Sequence, residues 1–202
     1  MRIGVDFDNT LVDYTGVFYQ VAQTLGLTQG LHDTDKQSVK QHIVMHFGES
    51  QWTRLQGLVY GPYIQSARAY AGAWQCISSF LDKGHEWFIV SHKTRYPVIG
   101  DKVDLHRAAT KWLRSNIASC AQSGSIQFSD IFFEQSFEDK LARIESLHLD
   151  WFIDDLPSVV TALDKKGMQS ILFDPHQHHE ARGFRRCSNW QEVEACLNES
   201  KV

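Results

Sequence analysis

Two aspartates one residue apart close the first apolar run of the chain. Asp6 and Asp8 follow Ile3 and Val5 in a segment of strand length. A buried strand that brings two like charges to one turn is costly, unless a cation or an ionisable partner compensates them. The pair therefore indicates chemistry rather than packing, and its partner has to come from elsewhere in the chain.

Further polar side chains follow later apolar runs. Ser91 and the pair Asp154-Asp155 each come directly after a run of strand length, and Lys140 lies in the first turn of a later helical pattern. The carboxyl ends of parallel strands form one rim of a sheet, and ligands bind at this rim where the strand order reverses. We therefore expect these residues to meet the aspartates of the first run at one site.

Short apolar runs alternate along the chain with segments of helical periodicity. This alternation is typical of an α/β fold with a parallel sheet. The runs that we predict as strands are Ile3–Phe7, Trp87–Val90, Ile131–Phe133, Trp151–Ile153 and Ser170–Phe173.

The first crossover is longer than the single helix that a crossover needs. It contains three helical stripes and almost no strand character, and the stripes end at Gly26, Gly48 and Gly61. The pattern predicts a small all-helical cap inserted after the first strand of a larger core. The predicted cap comprises residues 13–72, and the predicted core comprises residues 1–12 and 73–202.

Composition excludes several classes of protein. The 202 residues are 43% hydrophobic, and 24 acidic against 20 basic residues give a formal net charge of -4. This balance argues against a dedicated binder of nucleic acid or of an anionic membrane. The four cysteines have no CxxC spacing, so we expect neither a disulfide framework nor a structural zinc site. A charged start and the lack of a long apolar stretch favour a cytoplasmic location.

The chemical residues resemble the four motifs of the haloacid dehalogenase (HAD) superfamily. Those motifs are DxDx(T/V), a Ser or Thr, a Lys and an acidic pair. Here they occur in order as Asp6-Phe7-Asp8-Asn9-Thr10, Ser91, Lys140 and Asp154-Asp155, with the helical insert between the first two. The resemblance implies a Rossmann-like three-layer core around a central parallel sheet, with a helical cap.

The resemblance also implies roles for the acidic residues. Asp6 would be the nucleophile that forms an aspartyl-phosphate, and Asp8 would be the general acid and then the general base. Magnesium would be held by Asp6, Asp154 and the backbone carbonyl of Asp8, because Mg²⁺ prefers hard oxygen ligands. Asp155 would complete this site through a bound water, although it could equally be the N-cap of the following helix.

The remaining motif residues would bind the phosphate. Ser91, with its neighbours His92 and Lys93, would hold phosphate oxygens, and Lys140 would neutralise the nucleophile and the developing charge. Lys93 is the alternative to Lys140 as the catalytic lysine. In many members of the superfamily a helix begins directly after the Ser or Thr, but here Pro97 disfavours one. We therefore expect loop side chains such as Lys93 to contribute to the phosphate site.

The function that the resemblance implies is a Mg-dependent phosphatase acting on a small phosphorylated metabolite, either a nucleotide or a sugar phosphate. A small phosphate ester is the expected partner, without nucleic acid or membrane, and the sequence indicates no particular oligomeric state. The alternatives are a 2-haloacid dehalogenase and a HAD-fold binding protein without activity. Dehalogenases of this superfamily characteristically lack an aspartate at the position of Asp8. A phosphonatase would need a cap lysine, for which Lys36 and Lys40 are candidates.

A histidine cluster lies outside these motifs. His176, His178 and His179 lie within four residues of one another in a polar segment. Histidines of this kind are more often exposed to solvent than bound to a metal, and we expect exposure here.

Overall fold

The computed structural model describes residues 1–120, 126–179 and 183–199. The chain forms two compact units. The first consists of Met1–Val12, Ala69–Lys93 and Ile117–Val202, and the second consists of Asp13–Arg68 and Thr94–Asn116. Within the part of the chain that is described, no helix is both long enough and apolar enough to cross a membrane.

The strands and helices follow the alternation expected from the sequence. The strands are β1 Arg2–Val5, β2 Val12–Asp13, β3 Arg68–Ala69, β4 Glu86–His92, β5 Asp130–Glu134, β6 Trp151–Asp154, β7 Gln169–Phe173 and β8 Arg186–Cys187. The helices are α1 Val17–Thr24, α2 Lys36–Phe47, α3 Glu49–Tyr60, α4 Ala73–Leu81, α5 Leu105–Ser119, α6 Phe137–Ser146, α7 Pro157–Asp164 and α8 Trp190–Glu199, with a 3-10 turn at Ile64–Ser66. All five predicted strands are present.

The first unit contains a six-stranded parallel sheet in the order β5-β4-β1-β6-β7-β8. From β1 the chain first adds β4 and β5 on one side, and then adds β6, β7 and β8 on the other. The strand order therefore reverses between β1 and β6, where ligands bind in open α/β sheets. Val5 is aligned with Ile89 of β4 and Ile153 of β6, so Asp6 and Asp154 each come one residue after this shared level.

Both faces of the sheet are covered by helices, because the strands are apolar on both sides. On one face Trp87 of β4 packs against Phe80 of α4 and Trp190 of α8. On the other face the adjacent Phe88 belongs to a buried cluster with residues of α6 and α7 that include Ile144 and Val159. This alternation confirms the predicted three-layer, Rossmann-like α/β core.

The second unit contains α1, α2, α3 and most of α5. Phe18 of α1 stacks on Trp52 of α3 at 5.2 Å between ring centroids, which is one of the apolar contacts that join these helices. The segment 94–116 belongs to the same compact unit, and Pro97 lies so close to Gly57 of α3 that a side chain at Gly57 would meet it. The division of the chain into a cap at 13–72 and a core stays a prediction, and the compact unit takes in residues 94–116 as well.

Candidate active site at the carboxyl ends of the strands

Lys140 joins two of the predicted site carboxylates. Its Nζ donates to Oδ1 of Asp6 and to Oδ2 of Asp154, at 2.6 Å in both cases. Only 1% of the Lys140 side chain is exposed, and Asp154 is fully buried. The carboxylates at the ends of β1 and β6 therefore share the buried ammonium group of Lys140, which lies at the start of α6. This contact lies at the point where the strand order reverses.

The position of Lys140 is set by the beginning of α6. Ser136 is the N-cap residue, and its hydroxyl oxygen accepts a hydrogen bond from the backbone N–H of Asp139 at 3.0 Å. The same hydroxyl donates to the Asp139 carboxylate at 2.7 Å. This cap places Lys140 in the first turn, as predicted, while Ile144 one turn later packs in the core. The Ser136 cap was not predicted from the sequence, although serine followed three residues later by an acidic residue is a usual helix start.

The end of β6 holds Asp154 by a further contact. Its Oδ1 accepts the backbone N–H of Leu156 at 2.9 Å, so the two carboxylate oxygens face two different donors. Leu156 is the N-cap residue of α7, and Pro157 follows it as the first residue of the helix. The alternative that Asp155 is the N-cap is therefore wrong. Asp155 lies next to the buried carboxylate and is partly exposed.

The second aspartate of the first motif has a lysine of its own. Lys93 Nζ donates to Oδ2 of Asp8 at 2.7 Å, and the Lys93 side chain is 3% exposed. The backbone N–H of Lys93 donates to the carbonyl of Glu134 at the end of β5, which fixes the chain where β4 ends. The ammonium group also lies 5.4 Å from the centre of the Phe7 ring.

The loop that carries the two aspartates turns tightly. The amides of Leu11 and Val12 both donate to the carbonyl of Phe7, and Asn9 adopts a left-handed conformation with φ of 60°. Asparagine tolerates this conformation better than most residues. From the end of α8 that faces the loop, Trp190 Nε1 donates to the carbonyl of Thr10 at 3.2 Å. Nothing in the local sequence around Thr10 points to this contact with the last helix.

Charge and burial shift the proton affinities of this group. Burial, together with the charge of Asp154, raises the pKa of Asp6 to about 7, against the lowering effect of Lys140. Burial by itself would lower the pKa of Lys140, but the charges of Asp154 and Asp6 outweigh it and raise that pKa. Two carboxylates thus compete for one ammonium group, and Lys140 stays charged between them.

Ser91 and His92 end β4 in different environments. Ser91 is buried and is aligned with Phe133 of β5. The His92 side chain is exposed, and its Nε2 lies 3.1 Å from the carbonyl of Gln135. The structure therefore joins Asp6, Lys140 and Asp154 by direct hydrogen bonds, and records no such bond from Ser91 or His92 to any of these three.

The donors present fit a magnesium ion by their chemistry. No group of three or more His, Cys, Asp or Glu side chains suited to a metal occurs in residues 1–120, 126–179 and 183–199. Magnesium does not need one, because it usually takes one or two protein carboxylates and completes its octahedron with waters and substrate oxygens. Asp6 and Asp154, which both contact the ammonium group of Lys140, provide two anionic oxygen donors. Magnesium prefers hard oxygen donors of this kind.

The histidine cluster lies beyond the end of β7. The His176 and His178 rings are exposed, with centroids 5.5 Å apart. The backbone amides of His178 and His179 donate to the buried carboxylate of Asp174, so the backbone of this segment, rather than its rings, is what the core holds.

The chain is similar in sequence to a curated protein over nearly its whole length. No family model matches the chain. One curated relative from Oceanobacillus iheyensis, named "Putative nucleotidase OB0422", is 23% identical over 198 residues, which cover 95% of this chain and 96% of the relative.

Solved structures with similar folds cover nearly the whole chain. A haloacid dehalogenase-like hydrolase family protein, SP0104 of Streptococcus pneumoniae, has a TM-score of 0.64 at 12% identity and covers 97% of both chains. Bacillus subtilis YfnB, solved with bound magnesium, has a TM-score of 0.61 at 16% identity and covers 98% of both chains. A HAD family hydrolase of Deinococcus radiodurans, solved with phosphate and sodium, has a TM-score of 0.61 at 16% identity and covers 98% of this chain and 95% of its own. The resemblance first indicated by the motifs is confirmed in three dimensions: the chain has the fold of the haloacid dehalogenase superfamily.

Proposed function

We propose that the protein is a Mg-dependent phosphatase that hydrolyses a small phosphorylated metabolite through an aspartyl-phosphate intermediate. The observation that carries the proposal is the contact of Lys140 with Asp6 and Asp154 at the reversal of strand order. A buried carboxylate held by an ammonium group is suited to attack phosphorus. The same ammonium group also offsets the negative charge that gathers there.

Asp6 and Asp8 divide the chemistry of the two steps. In the first, the Asp6 carboxylate attacks phosphorus, the bond from phosphorus to the ester oxygen breaks, and Asp8 gives a proton to the leaving oxygen. In the second, Asp8 takes a proton from a water that attacks the aspartyl-phosphate, which releases phosphate and restores Asp6. Lys140 stays in contact with Asp6 through both steps, and Lys93 holds Asp8.

The phosphate group needs further donors. Ser91, His92 and Lys93 at the end of β4 are the candidates for its oxygens, together with Lys140. Asp6, Asp154 and the backbone carbonyl of Asp8 would hold the magnesium ion, with Asp155 acting through water. When bound, the ion supplies positive charge that polarises the phosphoryl oxygens.

A nucleotide is the substrate class that we favour over a sugar phosphate. The support is the relative from Oceanobacillus iheyensis, whose name describes a nucleotidase and which matches over nearly its full length. The predicted cap, residues 13–72, would choose among substrates, because the residues assigned to the chemistry all belong to the core. Asp8 favours phosphoryl transfer over dehalogenation, which needs no acid at this position.

The test is a panel of phosphate esters with released phosphate as the readout. The purified protein is incubated with nucleoside monophosphates, sugar phosphates and a 2-haloacid, each with Mg²⁺ and with excess EDTA. We expect phosphate release from the nucleotides, none in EDTA, and no halide release. Turnover that persists in EDTA would contradict the metal dependence, and halide release without phosphatase activity would replace the proposal by the dehalogenase alternative.

A further inference from the structure

Two thiols face each other at the edge of the sheet, away from the residues assigned to catalysis. The Sγ atoms of Cys187 in β8 and Cys196 in α8 lie 3.5 Å apart, in hydrogen-bond contact. Both residues carry thiols in the structure, as do Cys76 and Cys120. A disulfide joins sulfur atoms at about 2 Å, so the two sulfurs are already close to each other before any bond forms.

The backbone on both sides of the pair is held in place. Cys187 is aligned with Phe173 of β7, and its carbonyl accepts the backbone N–H of Asp174 at 2.9 Å. The turn to α8 is fixed by Glu192, whose carboxylate accepts the N–H and the hydroxyl of Ser188 at 2.7 and 2.9 Å. Both thiols therefore project from ordered backbone, and the encounter of the two sulfurs requires no refolding.

The two thiols differ in access. Cys187 is 1% exposed, whereas Cys196 is partly exposed. Burial, reinforced by the hydrogen bond with Cys196, raises the pKa of the Cys187 thiol. Because the thiolate is the attacking species and needs access to its target, Cys196 is the thiol that an external reagent meets first.

We propose that Cys187 and Cys196 form a dithiol site that low-molecular-weight disulfides, such as glutathione disulfide, convert reversibly to a disulfide. The Cys196 thiolate attacks one sulfur of the reagent, forms a mixed disulfide and releases one thiol molecule. Cys187 then loses its proton and attacks the Cys196 sulfur, which releases the second thiol molecule. Two protein thiols are oxidised, and one small disulfide is reduced to two thiols.

The disulfide would tie the last helix to the edge strand. The same helix carries Trp190, whose Nε1 bonds the carbonyl of Thr10 in the loop of the two aspartates. A cross-link between β8 and α8 restricts the unfolded chain and leaves this contact in place. We therefore expect the oxidised protein to be more stable to heat, with a Tm that is higher by several degrees.

The experiment uses the whole protein and glutathione disulfide. After incubation, remaining thiols are alkylated and counted, and the protein is cleaved after glutamate, which separates the two cysteines at Glu192 and Glu194. In the wild type we expect two of the four thiols to be lost, and no glutathione to stay attached to the protein. The fragments that contain Cys187 and Cys196 should remain joined until dithiothreitol is added.

Single substitutions separate the two steps. In Cys187→Ser the mixed disulfide has no resolving thiol, so Cys196 should keep bound glutathione. Cys120→Ser is the matched control and should form the same cross-link as the wild type, with the same rise in Tm. The proposal is overturned if the wild type keeps all four thiols, if Cys196 retains glutathione in the wild type, or if the joined fragments contain Cys120.

Discussion

The ammonium group of Lys93 lies 2.7 Å from Oδ2 of Asp8, and its side chain is almost completely buried. Lys140 makes the corresponding contact with Asp6. The two aspartates of the first motif thus have separate lysines, one from the end of β4 and one from α6. The sequence suggested these lysines as alternatives for a single role, whereas the structure gives each of them a different carboxylate.

The first prediction concerns Lys93. In Lys93→Met the Asp8 carboxylate loses the donor that orients it, so we expect kcat to fall by about 10-fold to 100-fold, which is up to the lower end of the roughly 100-fold to 10,000-fold that general acid–base catalysis contributes. Lys93→Arg should recover part of this loss, because it keeps a charged donor. The measurement is steady-state phosphate release with Mg²⁺, and exposed Lys111→Met serves as the control. A Lys93→Met enzyme with the kcat of the wild type would show that Lys93 does not act through Asp8.

The second prediction concerns the stability that Lys140 provides. Lys140→Met leaves the Asp6 and Asp154 carboxylates buried without their ammonium group, which typically costs about 3–5 kcal/mol. We expect this loss in the free energy of unfolding measured with urea in EDTA, and a smaller loss with Mg²⁺, because a divalent cation compensates the same charges. Exposed Lys165→Met should change neither value. Equal losses with and without Mg²⁺ would argue against a metal at these carboxylates.

The third prediction follows from the pKa of Asp6, which burial and Asp154 raise to about 7. An acid whose pKa is higher in the folded state favours folding while it is protonated. The wild type without metal should therefore lose stability from this group between about pH 4 and pH 7, on the order of a few kcal/mol. Asp6→Asn cannot ionise, so its free energy of unfolding should rise relative to the wild type across this range and then level off.

The measurement is urea unfolding of both proteins in EDTA at several pH values, with exposed Asp82→Asn as the control. Excess Mg²⁺ should reduce the difference at neutral pH, since the ion favours the ionised carboxylate. Asp6→Asn should also abolish phosphate release at every pH, because an amide cannot act as the nucleophile. A difference in stability that stays constant between pH 4 and pH 7 would contradict the raised pKa.

The fourth prediction addresses Asp154. Asp154→Asn keeps the size of the side chain but removes one anionic oxygen, and a neutral amide is a weaker ligand for Mg²⁺. We expect weaker binding of Mg²⁺ by calorimetry, by at least 10-fold, and phosphatase activity that needs correspondingly more Mg²⁺. Asp155→Asn is the informative comparison, since a carboxylate that acts through water should matter less. The assignment would fail if the two variants bound the ion equally well.

Much of the core could be predicted because its strands are apolar on both faces. Apolar runs such as Trp87–Val90 fit a buried strand better than any other element, and all five strands predicted from such runs are present. The remaining strand of the six-stranded sheet, β8, was not predicted, because Arg186 and Cys187 form no apolar run. These two residues form a strand by pairing with the edge of β7. Its short length leaves no periodicity to recognise.

The positions of the candidate residues in the fold could be predicted better than their contacts. Asp6, Ser91 and Asp154 were expected at the carboxyl ends of strands, and each lies at or next to the end of its strand. The pairing of Lys93 with Asp8 depends on how a long side chain crosses from β4, which spacing alone does not determine. The N-cap assignment of Asp155 failed because α7 begins one residue later than this assignment requires, with Leu156 as the N-cap residue and Pro157 as the first residue of the helix.

The last prediction tests how closely β1 must approach β6 for Lys140 to keep its position. Gly4 is aligned with Phe152, and a Cβ at Gly4 would collide with the side chains of Phe152 and Leu149. The Phe152 ring lies 5.6 Å from Lys140 Nζ, so pushing the ring aside also disturbs the ammonium group. Gly4→Ala should therefore cost about 1–3 kcal/mol in the free energy of unfolding and lower kcat.

A second substitution distinguishes this collision from a general effect of alanine on the strand. In Gly4→Ala combined with Phe152→Leu, the smaller side chain makes room for the new methyl group. The double variant should then be more stable than the sum of the single losses predicts, by about 0.5–3 kcal/mol, which a double-mutant cycle measures by urea unfolding. Strict additivity would mean that the ring does not oppose a side chain at Gly4. Glycine at position 4 would then be required for a reason other than its close approach to the Phe152 ring beside Lys140.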